Sequence, residues 1–198
     1  MPNTSATGGY LAPASIAPSY DTPLDLQIQS LVTGITGIIG SLVRPRWQPR
    51  PPAQPDREVT WCAIGIIEIN TEFGHHIKHN STGEGSDEAE TFETLELLTS
   101  FYGPQSSGMA ALLRDGLWIA QNREAMRANG LALVDVRRIT HVGELVNQEY
   151  IRRADLPIVL RRNVSRTYPI LNLLQAQIEL QSLNGDQLRI QNFLVPES

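Results

Sequence analysis

The sequence predicts an α+β fold: a mostly antiparallel sheet flanked by helices, with an extended N-terminal arm. Three observations carry that expectation. Period-two patterning runs through Tyr150–Leu180, with Leu156, Ile158 and Leu160 on one face and, further on, Leu174, Ala176, Ile178 and Leu180 alternating with Gln175, Gln177, Glu179 and Gln181. The stretch Val59–Ile69 is apolar on both faces, as a central strand is. Apolar residues at Ile28, Leu31, Val32, Ile35, Ile38, Ile39 and Leu42 recur at helical spacing.

The 198 residues suffice for one domain with a core plus extensions. The expected organisation is a flexible arm over 1–21 and a single domain over 22–198 that includes a proline-rich connector at 44–57. A net charge of −5 argues against a dedicated nucleic-acid binder, which is usually basic. One cysteine, Cys62, excludes an internal disulfide and fits a reducing compartment. No basic region followed by an apolar segment marks a signal peptide at the N-terminus.

In chain order, residues 1–21 are small, polar and rich in Pro and Gly, and cannot bury enough apolar surface to order themselves. Two readings stand: a disordered tail, or an arm that orders on a neighbouring subunit through Tyr10, Leu11 and Tyr20. Thr22-Pro23-Leu24-Asp25 reads as a helix start, with Thr22 as cap and Pro23 in the first helical position. Leu26–Val43 is uncharged, but Gln27, Gln29, Ser30, Thr33 and Thr36 speak against a membrane span. Gly34, Gly37 and Gly40 form a shallow ridge suited to close packing. Residues 44–57 follow as a proline-stiffened strap, in which Arg44, Arg46 and Arg50 around Trp47 are weak support for a nucleic-acid contact.

After the strand Val59–Ile69, residues 71–87 read as a long polar loop. Thr91–Phe101 resumes strand patterning, with Phe92 on one face and Leu95, Leu97 and Phe101 on the other, completing a long-tipped hairpin. Gln105–Leu117 is a helix with Met109, Leu112, Leu113 and Leu117 as its apolar face. A shorter helix, Asn122–Asn129, ends at Gly130. Leu131–Arg137 is a short strand with Leu131, Leu133 and Asp135 on one side, while His141–Gln148 is too mixed to assign. Pro169 lacks an N–H and marks a break in the sheet. Asn184-Gly185 suits a tight hairpin turn, with Gln187–Val195 as the return strand.

Candidate chemistry is sparse. His75, His76 and His79 form the one cluster of metal-ligand types, but they lack the Glu of a HExxH motif and read as a solvated loop. No phosphate-binding loop, nucleophile elbow or CxxC spacing occurs. The expectation is therefore a protein without catalytic residues, metal or cofactor. Charge patterning is more informative. Glu84, Asp87, Glu88, Glu90, Glu93 and Glu96 form a run without a basic residue, and Arg152, Arg153, Arg161, Arg162 and Arg166 form its complement. Placed on neighbouring subunits, the two would set register and partner choice.

The segments VRPRWQPRPP, FYGP, LLRDGLWIAQNREAMRANGLALVDV and RRADLPIVLRRNVSRTYPILNLLQAQIEL together resemble the neck or tail-terminator proteins of contractile-tailed bacteriophages, over about Leu24–Leu180. The resemblance implies an α+β subunit, a structural virion protein without enzymatic activity. Such a subunit forms a homo-oligomeric ring, a hexamer, that is assembled in the host cytoplasm and sits at the neck, on top of the tail tube. The ring would stop tube growth and join the tail to head–tail connector proteins, with the tail tube and sheath proteins as further partners. No membrane or sequence-specific nucleic acid is implied; DNA would at most pass through the ring. A head–tail connector or tail-tube ring protein is the alternative reading.

Overall fold

The computed structural model describes residues 3–146, 149–172, 176–184 and 187–195, the last two segments by their backbone. Helix α1 (Asp21–Thr36), a single 3-10 turn (Gly40–Leu42) and strand β1 (Val43–Pro45) come first. Strands β2 (Trp61–Asn80) and β3 (Ser86–Tyr102) follow, then helices α2 (Ser106–Gly116) and α3 (Ala120–Ala128). The remaining strands are β4 (Ala132–Val136), β5 (Thr140–Val146), β6 (Glu149–Tyr168), β7 (Ala176–Asn184) and β8 (Gln187–Val195). A six-stranded sheet has the order β1-β2-β3-β6-β4, with β5 also on β6; β7 and β8 form a separate antiparallel pair. The α+β class is as the sequence predicts.

The chain divides into two compact units, one of residues 17–75 and 90–164, the other of residues 3–16, 76–89 and the segment from 165 on. In the larger unit, α1 contributes Leu24, Ile28 and Val32 to the core, and α2 contributes Ala110 and Leu113. They meet Leu95, Leu97 and Phe101 of β3 and Ala154, Leu156, Ile158 and Leu160 of β6, all fully or almost fully buried. Alternate residues of a strand share a face, so the helices cover one side of the sheet. At about 25 cal/mol per Å² of apolar surface removed from water, this layer is the main source of stability.

Several boundaries differ from the sequence reading, each for a local reason. Helix α1 stops at Thr36, although the apolar spacing continues to Leu42. Gly37 takes φ 73° and its N–H donates to the Thr33 carbonyl at 2.9 Å, a left-handed end that other residues adopt at a cost. Gln29 then ties down the 3-10 turn by donating to the Gly40 and Val43 carbonyls at 2.8 and 2.7 Å. Thr22 does not cap: the flanking residue is Tyr20, without a side-chain cap, and Pro23 lies within the first turn. The glycine ridge takes no close neighbour among the described residues, where a Cβ on Gly34, Gly37 or Gly40 would meet nothing within 4 Å. The close approach to α1 comes from Gly116 instead, where a Cβ would collide with Ile35.

The strap at 44–57 begins as strand, because Val43–Pro45 pairs in parallel with Cys62–Ile64. The polar loop expected at 71–87 is mostly strand: β2 runs to Asn80 and β3 starts at Ser86, so the connection is 81–85. Polar residues read as loop because β2 is exposed on both faces over most of its second half. Leu112 is 45% exposed and leaves the apolar face of α2, where Ala110 takes the buried position. Helix α3 starts two residues earlier than expected, at Ala120, and Gly130, with φ 74°, follows its end as expected. In β4 a register shift between Leu133 and Asp135 turns Asp135 to solvent and Val136 toward the core. Residues 140–146, unassigned from the sequence, pair antiparallel with β6 as β5.

Strand β6 ends at Tyr168, one residue before Pro169. Within it, Pro157 falls in the gap between the β4 and β5 registers, and its carbonyl accepts from Arg137 N–H at 2.9 Å. A missing N–H there costs no ladder bond. The return strand β8 matches the expected range. The alternating side chains of 174–181 and the Asn184-Gly185 turn lie outside the described residues.

In the smaller unit, residues 3–16 have no regular element. Ala14 N–H donates to Thr167 O at 2.7 Å, Thr167 N–H to Ser15 Oγ at 3.1 Å, and Leu171 N–H to Ser5 Oγ at 2.8 Å. The arm therefore lies along the end of its own β6.

Candidate subunit-interaction surface

The arginines of β6 and the acidic run of β3 were singled out by charge, and within the larger unit the structure brings several of them together inside one chain. Arg162 is 7% exposed and Glu93 6%. Arg162 Nε donates to Glu93 Oε2 at 2.8 Å; Nη2 is as close to the same oxygen but badly aligned for a second hydrogen bond. Arg162 also donates to the Ser19 carbonyl, its guanidinium lies 4.3 Å from the centroid of the Tyr20 ring, and Tyr20 Oη donates to Glu93. The strand phase explains the site. Glu93 continues the face of Leu95 and Leu97, and Arg162 that of Ile158 and Leu160. Tyr20 and Ser19, the residues entering α1, close over the pair. A buried ion pair contributes little net stability when complete, but removing one partner leaves an uncompensated charge.

The opposite face of the sheet carries further pairs. Arg161 meets Glu72 at 2.6 Å and lies 5.0 Å over Phe92. Arg137 donates to Glu96 at 2.7 Å. Arg153 holds Asp155 at 2.8 Å and Glu144 at 3.2 Å beside the Tyr102 ring, and the Asp155 carboxylate raises its pKa further above the usual arginine range. Ser100 links Asp155 to Arg46, and Trp61 stacks on Tyr102 with centroids 4.3 Å apart. Arg152 differs from its neighbours: it is exposed and makes no ion pair among the described residues. A groove of about 370 Å³ lies between α1 and α3, lined by Leu26, Leu31, Gly34, Ile35 and Met126 among others.

The other predicted residues belong to the smaller unit or are apart from these clusters. Glu88 accepts from Ser165 Oγ at 2.6 Å, Glu84 is exposed, and Glu90 and Arg166 are partly buried. Tyr10 is fully exposed and Leu11 partly buried. His75 Nδ1 lies 2.5 Å from Thr91 Oγ1. His79 lies on strand rather than loop, with Nδ1 2.6 Å from Asp87 and Nε2 2.7 Å from Asn172 Oδ1. Asn172 Nδ2 donates to the Ser81 and Gly83 carbonyls at 2.7 and 2.9 Å, which sets its amide oxygen toward the imidazole. Both ring nitrogens therefore face acceptors, an arrangement for the protonated ring. The Asp87 and Asn172 hydrogen bonds raise the His79 pKa above its ordinary value. Gly85, with φ 92°, allows this closure, since a Cβ there would lie 2.5 Å from Asn172 Oδ1. Among the described residues no group of three or more His, Cys, Asp or Glu side chains is placed to hold a metal ion, and no helix is long and apolar enough to cross a membrane.

Residues 24–185 match a family described as phage neck terminator protein. The chain belongs to the phage neck terminator family. No curated protein matches it. Membership gives this neck protein a structural role in the virion, in company with other head and tail proteins. The Arg162–Glu93–Tyr20 cluster is an internal support of this neck protein. Sequence reasoning missed it as an internal pair, although the shared phase with the core leucines was a readable signal.

Proposed function

We propose that this neck protein is a non-enzymatic ring subunit that ends the tail tube and joins the tail to the head-side connector. The family match over most of the chain carries this reading. The ring is a homo-oligomer, with six copies as the stoichiometry that the resemblance implies, and its neighbours are the tail tube on one side and connector proteins on the other. A closed ring uses one heterologous contact at every joint and leaves no free end. Of the charged residues assigned to subunit contacts, Arg152 and Glu84 are exposed in the single chain and serve as contact residues, as does Tyr10 of the arm. Arg161, Arg162 and Glu93 act one step back, by holding the strands that present them.

Omission of the protein from tail assembly tests the function. The expected result is tails of uncontrolled length, or tails that fail to join heads. Tails of normal length attached to heads would overturn it, and would favour a connector or tube role only if the ring is found elsewhere in the particle.

A further inference from the structure

The larger unit ends its sheet on two open edges. On one side, β1 covers β2 only at Cys62–Ile64, and no described strand pairs with the outer side of β2 beyond it. Phe73, with φ 61°, kinks the strand, so the straight uncovered stretch is Ile66–Glu72. It exposes Ile67 and Ile69 and contains neither lysine nor proline, two of the residues that protect a free edge; its charges are Glu68 and Glu72, the latter held by Arg161. On the other side, β5 (Thr140–Val146) is of the same length, pairs among the described residues with β6 alone, and exposes Val142 and Leu145.

We propose that these two edges pair with each other between copies of the chain, β2 of one subunit adding to β5 of the next. The inference rests on the ring reading and names its joint. Each copy carries one vacancy and one strand that fills it, on opposite sides of the same sheet, so the contact is heterologous and can propagate around a ring. Main-chain hydrogen bonds supply the attraction and the alternating side chains the register. The charges agree. Glu68 on the β2 edge is exposed and forms no ion pair among the described residues. Arg138 before β5 and Arg152, which lies opposite Gly143 of β5, are exposed cations that likewise form no ion pair there. Gly143 leaves room beside the Tyr150 ring, 3.7 Å from where a Cβ would be.

The test uses the full chain, assembled as purified, with cysteines at Ile67, Glu68 or Ile69 combined with one at Val142 or Gly143. Neighbouring positions point to opposite faces, so the set covers both registers of alternation. Mild oxidation should give a covalent ladder reaching the size of the ring in at least one double variant, and none in the single variants. Ile69→Lys should abolish the ring while keeping the circular dichroism of the folded subunit. Wild-type rings without a ladder in any double variant, or an Ile69→Lys protein that still forms rings, overturn the edge pairing and leave the ring reading standing. A wild-type protein that remains monomeric at all concentrations overturns both.

Discussion

Arg162 and Arg152 lie on the same strand and point to the same side of it, yet they live in different worlds. Arg162 is closed off by Glu93, Ser19 and Tyr20. Arg152 is exposed and stands next to the uncovered β5. The comparison extends to whole strands: β3 and β6 are paired on both sides, while β2 beyond Ile64 and β5 each have one side without a described partner. Position at the margin does not decide this alone, since Glu144 of β5 and Glu72 of β2 are paired with Arg153 and Arg161 of their own chain, whereas Arg152 and Glu68 form no ion pair among the described residues. On the proposed reading, similar composition serves stability in one region and association in the other.

The largest difference is expected from Arg162→Ala. Removing one member of a buried pair costs about 3–5 kcal/mol, read from the urea unfolding midpoint. A loss below about 1 kcal/mol, the range of an exposed pair, would mean that the cluster is solvated and erase the contrast.

The sequence made the class, the helices after β3 and the break at Pro169 readable, because hydrophobic spacing, Gly130 and a missing N–H act locally. It did not show β2 as a long strand, since a strand that is wet on both faces carries no alternation. Nor did it show the end of α1, where the apolar residues Ile38 and Leu42 continue the helical spacing past Gly37 but serve a turn and β1. The charge complementarity of β3 and β6 was visible, but whether it acts within or between chains depends on strand order, which pairs β3 with β6 directly. The His79 clamp joins residues far apart in sequence and left no local signal.

Arg161→Ala sharpens the comparison from an intermediate position. Its pair with Glu72 is partly exposed and its ring contact with Phe92 is at the surface, so a loss of about 1 kcal/mol is expected, again by urea unfolding. A loss equal to that of Arg162→Ala would show that the outer face is as closed as the core face. Arg152→Ala should change subunit stability by no more than about 0.5 kcal/mol while weakening assembly, most clearly at low salt where charge steering is strongest. Equal assembly of variant and wild type by sedimentation would remove Arg152 from the joint.

The smallest effect concerns His79 and pH. Its folded pKa is raised, first by Asp87 and then by Asn172, so the contribution of the contact is complete below the ordinary histidine value of about 6.5 and is lost as pH rises through the folded value. The histidine NMR titration should show His79 deprotonating above the ordinary value, and Asp87→Asn should move it back down. A titration at the ordinary value in the wild type would contradict the clamp.

The most direct measurement is hydrogen exchange of the main-chain amides in the dissociated subunit and in the assembled ring. Amides of β6 over 149–155 and 158–161, which lie between β3 on one side and β5 or β4 on the other, should be slow in both states, since their partners belong to the same chain. Along Ile66–Glu72 and Thr140–Val146, the alternate amides that point away from the sheet should exchange fast in the subunit and slow together on assembly. Outward amides that are already protected in the subunit, or that stay fast in the ring, would contradict the division between an interior satisfied by its own chain and edges completed by the next one.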